Sequence, residues 1–427
     1  MSETAGGEFA IHSSVAPRNP AVQGGKESSA DRRSAGFALK AVLLYSFYMQ
    51  VKRAYRFRFY PTPEQADVLA RTFGCARFAY NHMLRLRSDA WMQRQERVGY
   101  HETSAALTAL KKTPEHAWLN EVSSVPVQQA LRHLNTAFLN FFAKRAQYPS
   151  LKRKDGAQAA EYTTSAFRWD AGRRALRLAK MDAPLDIRWS RTLPKAAKLT
   201  TVTISRDTAG RYFAALLCDD VVTSRKAASG QVGIDLGLTH FAILSSGEKV
   251  ASPKAFRRCE ARLAVRQRRL ARAKLGSKNR AKLKLKVAAL HAHIADARRD
   301  FLHKLSTRLI SENQVIAIET LSVSNMQRTR SLAKSISDAS WSEFVRQLEY
   351  KAQWCGRELI GIDRWYPSSK RCSVCGHTKT SMPLSVRTWD CPECGTHHDR
   401  DINAARNILA AGLAVSAHGE AVSPVLL

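Results

Sequence analysis

The sequence predicts an α/β protein of several domains, and three observations carry that reading. The chain has 427 residues, which at roughly 100–200 residues per domain allows two to four domains. Short stretches of period-two alternation are separated by long blocks with helical periodicity. Four of the eight cysteines form two Cys-x2-Cys pairs near the C terminus, the spacing of a small metal-held module.

Composition narrows the class. Apolar residues make up 44% of the chain, enough for packed cores and too many for wholesale disorder. No run approaches the 18 or more apolar residues of a membrane-spanning helix. With 68 Lys and Arg against 36 Asp and Glu, the net charge is +32. That excess calls for a polyanionic partner, nucleic acid before any other. A secreted disulfide scaffold would be shorter and denser in cysteine. The pattern suits a reducing, cytoplasmic compartment.

Residues 1–36 are rich in Gly, Ser, Ala, Pro and Arg, lack periodicity, and read as disordered. Phe37–Tyr48 is apolar but interrupted by Lys40 and lies too deep for a signal peptide; the rival reading is an amphipathic membrane anchor. Residues 1–48 thus read as an extension, and Met49 as the natural start or the edge of a dispensable segment. Gln50–Tyr60 alternates, with Tyr55, Phe57 and Phe59 on one face and Lys52, Arg56 and Arg58 on the other. That is a half-buried strand with a basic face. Thr62-Pro63-Glu64-Gln65 reads as an N-cap, a first-turn proline and a capping-box partner. Helical sequence follows to about Arg145, clearest where Leu131, Leu134, Phe138, Leu139 and Phe142 share one stripe.

Residues 160–222 read as strands, with a hairpin turning at Asp207-Thr208-Ala209-Gly210. They can share a sheet with the opening strand, the helices being inserted between. Val232–Leu244 reads as a strand pair turning near Gly237. A long helical block follows Pro253; residues 257–286 hold thirteen Lys or Arg and one acid, Glu260. Like charges this dense repel on a solvated helix, so the face, including Arg257, Arg258, Arg262, Arg266 and Arg269, is expected to meet phosphates. Val315–Ile318 reads as a buried strand ending at Glu319, and residues 326–335 as a basic loop. Ser340-x-x-Glu343 is expected to cap a helix with the stripe Trp341, Phe344, Val345, Leu348 and Ala352, and Leu359–Ile362 to add a strand.

Cys372-x2-Cys375 and Cys391-x2-Cys394, fifteen residues apart, fit a four-thiolate zinc site. Four sulfurs close the tetrahedron, so one Zn2+ here is structural, not catalytic.

Three acids carry the chemistry. Asp235 interrupts the apolar run Val232-Gly233-Ile234, and a charge there is costly unless paired or metal-bound. Glu319 ends a second apolar strand, and Asp401 opens a helix. Each alone reads as structural. Together, in a very basic chain, they fit an RNase H-like nuclease, in which acids from distant positions meet on a mixed sheet and bind two divalent cations. Asp399 is the rival to Asp401, or else the N-cap of its helix.

The motifs Gly233-Ile234-Asp235-Leu236-Gly237-Leu238, Ile318-Glu319, the two Cys-x2-Cys pairs and His398-Asp399-Arg400-Asp401-x-Asn403-Ala404-Ala405-x-Asn407-Ile408 resemble the TnpB family. These are RNA-guided nucleases of bacterial insertion sequences, related to the type V CRISPR effectors. Tyr60-Pro61-Thr62, Ala76–Asn81, Asp300–Leu305 and Ser335–Trp341 support the match, which runs from about Met49 to the C-terminal tail. The resemblance implies catalytic, Mg2+-binding acids at Asp235, Glu319 and Asp401, with Mn2+ as an alternative metal. It implies a guide RNA from the element's end, one protein per RNA, and a double-stranded DNA target cut beside a short motif. It also implies a wedge (oligonucleotide-binding-like) β domain over 49–61 and 151–228, interrupted by a helical recognition lobe over 62–150. A RuvC nuclease domain would occupy 229–369 and 397–427, interrupted by the zinc ribbon at 370–396. Two other activities remain open: strand transfer by a recombinase of the same fold, and guide-dependent repression without cutting.

Overall fold

The structure, a computed structural model, describes residues 48–194, 198–223, 227–383 and 385–417. The expectations for residues 1–47 and for the tail from 418 onward lie outside the described residues. Among the described residues, no helix is long and apolar enough to cross a membrane.

The chain opens with β1 (Tyr48–Tyr60). Its alternation is real: Tyr55, Phe57 and Phe59 are buried, while Lys52 and Arg56 are exposed. Three α-helices follow: α1 (Pro63–Arg94), α2 (Tyr100–Leu110) and α3 (Ser124–Phe142). The capping box that starts α1 is reciprocal. Gln65 N donates to Thr62 Oγ1 and Thr62 N to Gln65 Oε1, each at 3.2 Å. Leu131, Leu134 and Phe138 of α3 are buried against α1, but Leu139 and Phe142 are exposed. Their stripe outruns its partner surface at the end of the helix.

The chain then returns to the first sheet through β2 (Gln158–Thr163), β3 (Phe167–Asp170), β4 (Ala175–Leu178), β5 (Asp186–Arg188), β6 (Lys198–Arg206) and β7 (Tyr212–Thr223). The order is β2-β6-β7-β1-β5, with β3 and β4 forming a separate ribbon. The opening strand therefore pairs with the region after the helices, Tyr55 opposite Leu216. Gly210 turns the β6–β7 hairpin at φ 79°, a conformation that costs glycine nothing.

The second sheet comprises β8 (Gly230–Leu236), β9 (His240–Leu244), β10 (Lys249–Ala251), β11 (Asn313–Glu319) and β12 (Glu358–Ile362). Before β11 come α4 (Ala255–Arg272) and α5 (Lys278–Glu312). These are two helices folded on one another, with Ala255, Cys259 and Leu263 packed with Leu290 and Ile294. β11 (Asn313–Glu319) leads to α6 (Val323–Met326), α7 (Arg330–Ala339), α8 (Trp341–Cys355) and β12 (Glu358–Ile362). The order β10-β9-β8-β11-β12 is antiparallel through β8 and parallel from β8 to β12.

Two sequence expectations are corrected here. Residues 330–335 form the start of α7 rather than a loop, because Ile336 and Ala339 one turn on are buried in the core of the second sheet and hold the helix there. Ser340 does not cap α8 with its side chain: it is left-handed at φ 56°, and its hydroxyl bonds Ser337 O instead. The α8 stripe itself is buried in full.

The sheet has two covered faces. Val232, Ile234, Leu236, Ile316 and Ile318 pack with α5 and α8. Alternation turns Gly233, Asp235, Ala317 and Glu319 to the opposite face. There lies α9 (Arg400–Ala417), which follows a small ribbon of β13 (Thr388–Asp390) and β14 (His397–Asp399).

Candidate active site and metal centres

The two strand acids are neighbours. Ile234 of β8 pairs in parallel with Ile318 of β11, so Asp235 and Glu319, one residue on, stand side by side and face the same way. Burial, then the charges of Glu319 and Asp401, push the Asp235 carboxyl up to about 8, opposed by Arg400. Burial also raises Glu319, partly offset by a hydrogen bond that its Oε1 accepts from Ser368 Oγ at 2.9 Å. Both residues keep partial access to solvent. Carboxylates crowded this way repel one another when ionised, and a bound cation relieves the repulsion.

The third acid arrives on α9. Ala404, Ala405 and Ile408 form the buried stripe of that helix, and Gly412 lets it settle on the sheet. A methyl group at Gly412 would stand 2.6 Å from Ala317 Cβ. The two candidate aspartates separate by role. Asp399 Oδ1 accepts from the backbone N–H of Asp401 and Ile402, each at 3.1 Å, and its Oδ2 pairs with Lys249 at 2.6 Å. It is the N-cap of α9. Asp401, in the first turn, is the aspartate whose charge acts on Asp235. An all-carboxylate donor set is hard, matching Mg2+ or Mn2+.

The four cysteines form a tighter group. Among the described residues they are the one set of three or more Cys, His, Asp or Glu ligands whose donor atoms all lie within 4.8 Å of one another. Cys372 Sγ is 3.7 Å from Cys394 Sγ, and Cys375 Sγ is 3.5 Å from Cys391 Sγ. Bonds of about 2.3 Å to a tetrahedral Zn2+ would set sulfurs about 3.8 Å apart, so the residues fit zinc. The two knuckles match. Gly376 N donates to Cys372 O and Gly395 N to Cys391 O, with φ of 81° and 68° at the glycines. The Thr396 hydroxyl and backbone lower the Cys394 thiol to about 6.

The two centres are physically joined, which the sequence did not reveal. Asn407 Nδ2 donates to Ser368 O at 2.8 Å and Arg371 O at 2.6 Å. Asn403 Nδ2 donates to Arg371 O at 2.7 Å, and its Oδ1 accepts from Ser373 N at 2.9 Å. These asparagines tie α9 to the residues on either side of Cys372, and Ser368 carries the link on to Glu319. The available signal was two buried amides four residues apart on an otherwise apolar helix face. A second missed residue is Asp338. Its buried carboxylate accepts from Phe256 N at 3.0 and 3.2 Å, supplying the first turn of α4 with the cap its own sequence lacks.

The expected phosphate-facing residues divide. Arg258, Arg262 and Arg269 on α4 and Lys52 on β1 are exposed. Arg257, itself exposed, and Arg266 are engaged, donating to Ser335 Oγ at 2.9 Å and Lys286 O at 2.8 Å, and Arg262 also donates to Cys259 Sγ at 3.6 Å. Arg56 and Arg58 lie over the Phe213 ring at 3.7 and 5.2 Å. Tyr55 and Phe57 belong to the core.

Three family models match successive parts of the chain. They are described as a helix-turn-helix domain (residues 49–96), "Probable transposase" (216–330) and a Cas12f1-like TNB domain (341–408). The "Putative RNA-guided DNA endonuclease" of Streptomyces pristinaespiralis is 58% identical over 376 residues, 88% of this chain and 93% of that relative. The protein of Escherichia coli K12 named "Putative RNA-guided DNA endonuclease InsQ" is 32% identical over 389 residues, 88% and 96% of the two chains. In fold, the chain is similar to the protein in the cryo-EM structure of a Cas12f1–sgRNA–target DNA complex. The TM-score is 0.53 at 12% identity, covering 84% of this chain and 98% of that one. Identity of this extent across nearly whole chains makes the protein a member of the TnpB family.

Proposed function

We propose that this protein is an RNA-guided DNA endonuclease that cuts double-stranded DNA beside a short motif, using one RuvC-type site of Asp235, Glu319 and Asp401. The observation that carries the reading is the placement of Asp235 and Glu319 on adjacent parallel strands, with the charge of Asp401 acting on Asp235 from α9. The mixed sheet and its α9 cover would be the RNase H-like nuclease domain. The first sheet would be the wedge and α1–α3 the recognition lobe. The four cysteines would hold one structural Zn2+.

Asp235, Glu319 and Asp401 would hold two Mg2+ or Mn2+ ions through hard carboxylate oxygens. When bound, those ions supply an activated water and a counter-charge for the leaving oxygen. The chain's own contribution is placement. β8 and β11 fix two carboxylates in register, Ser368 holds the orientation of Glu319, and Asp399 fixes the first turn of α9 and with it Asp401. Guide pairing would carry the sequence specificity, while exposed cations such as Arg258, Arg262 and Arg269 grip backbones. The names of the relatives support RNA guidance and endonuclease activity.

The test is to express the protein with its flanking element DNA, identify any co-purifying RNA, and assay cleavage of a matching plasmid in Mg2+. A discrete RNA, with cutting that requires it, is the expected result. Cutting or joining that needs no RNA would favour strand transfer by a recombinase. A bound RNA with no cutting would favour repression.

A further inference from the structure

Trp365 is 80% exposed, more than any other tryptophan among the described residues. A single exposed apolar side chain needs no explanation by itself. This one is different because of how it is mounted. Its backbone N–H donates to Asp363 Oδ1 at 2.7 Å, and Tyr366 N donates to Asp363 O at 3.2 Å, closing a tight turn. The turn is pinned at both ends to the acid-bearing strand. On one side Ile362 pairs in register with Glu319, and Thr320 Oγ1 donates to Ile362 O at 2.8 Å. On the other, Ser368 donates to Glu319 itself. Between them Tyr366 packs against Ala317, Ile362 and Ile408. The indole therefore stands on a rigid ledge, three residues along the chain from the partner of Glu319. Fully extended, three residues span at most about 11 Å. The Arg364 guanidinium lies 5.0 Å from the ring centroid, adding a cation beside the same π-face system.

We infer that Trp365 is a positioning residue that stacks an unpaired base of the DNA strand being cut, within a few nucleotides of the phosphate held at Asp235 and Glu319. The inference rests on the nuclease reading above. Its physical basis is that a strand entering the cleft must present an unpaired segment. A flat, rigid aromatic flanked by an arginine binds any base in such a segment without reading its identity. Stacking would fix the register of the strand over the acids, so that the ledge acts on where the phosphate sits and not on the bond-breaking groups.

The experiment uses the full chain purified with the RNA it carries, and a matching DNA target. 2-Aminopurine is placed at successive positions around the cleaved phosphate of either strand, and Ca2+ replaces Mg2+ to hold the strand uncut. Trp365 should quench the probe at one or two adjacent positions. W365A should abolish that quenching, and W365F should restore it. In Mg2+, W365A should raise KM for the target about tenfold, the size of one base–aromatic stack, blur the cut position, and leave the amount of bound RNA unchanged. An abasic nucleotide at the quenched position should slow wild-type cutting but not that of W365A. Equal quenching and equal cut sites in wild type and W365A, with cutting still lost in D235A, would overturn this inference alone. Failure of D235A to abolish cutting would overturn the nuclease reading and this inference with it.

Discussion

A methyl group on Gly233 would overlap the carbonyl oxygen of Ala405, and the Leu409 amide nitrogen would be 2.7 Å away. Helix α9 therefore rests directly on the backbone of β8, two residues before Asp235 and one turn after Asp401. Gly233→Ala should push the helix off the strand. A backbone obstacle of this kind costs about 1–3 kcal/mol or more, and a displacement near 1 Å at the acids should slow cutting about 100-fold. Thermal melting and plasmid cleavage measured on one preparation check both effects.

Asp235→Asn should abolish cutting yet stabilise the metal-free protein. In the wild type the folded state raises this carboxyl from its ordinary value of 3.8 to about 8. Between those values the folded state binds more protons than the unfolded one, so the wild type loses stability as pH rises through that window. Asparagine removes that loss. The melting temperature of the variant in EDTA should exceed that of wild type at pH 8, by about 2–4 °C for each kcal/mol removed from the cost of burying the charge and of its repulsion by Glu319 and Asp401. The gap should close toward pH 4. Mg2+ should raise the wild-type value more than that of the variant.

Asn407→Ala should uncouple the two centres. It leaves the carbonyls of Ser368 and Arg371 short of the donor they share, at a cost of about 1–3 kcal/mol. Glu319 then loses its fixed partner. Cutting should fall while zinc content stays at one per chain, as measured by metal analysis of the purified variant.

Removing zinc should act through the same link in reverse. Cys391→Ser, or prolonged chelation, should release the metal and loosen Ser368 and Arg371. The melting of the first sheet should persist, because its core shares no residue with the ribbon. Unchanged zinc content in Cys391→Ser would contradict the four-thiolate assignment.

Charge reversal on α4 should be read in salt. Arg258→Glu, Arg262→Glu and Arg269→Glu together should weaken DNA binding. They should also flatten the dependence of log affinity on log salt by about 0.9 for each phosphate no longer neutralised. An unchanged slope would remove this face from the interface.

Much of this was legible in the sequence because the signals were local. Alternation in β1, the capping box of α1, the stripe of α8 and the cysteine spacing each follow from neighbours along the chain. Asp235 and Glu319 stood out as candidates because a charge inside Val232–Leu236 or at the end of Val315–Ile318 conflicts with its apolar surroundings, and the strand register sets the two side by side. What stayed hidden depends on distant partners. Asp399 and Asp401 are alike in sequence, and only the structure shows Asp399 capping α9 while the charge of Asp401 bears on Asp235. Asn403 and Asn407 look like ordinary helix polar residues until the carbonyls of residues 368 and 371 are set against them. Residues 330–335 read as a loop because the buried site that receives Ile336 is built by other strands. The end of α3 misled for the opposite reason: Leu139 and Phe142 keep the helical period yet stay exposed.

The most direct test of the three-acid site compares Asp235→Ala, Glu319→Ala, Asp401→Ala and Asp399→Ala in RNA-dependent plasmid cleavage. A site of Asp235, Glu319 and Asp401 predicts that the first three each reduce cutting at least about 1,000-fold, while bound RNA is unchanged. Asp399→Ala, which removes a helix cap, should cost about 1 kcal/mol of stability and leave measurable cutting. Normal cutting by Asp401→Ala, with none by Asp399→Ala, would contradict it.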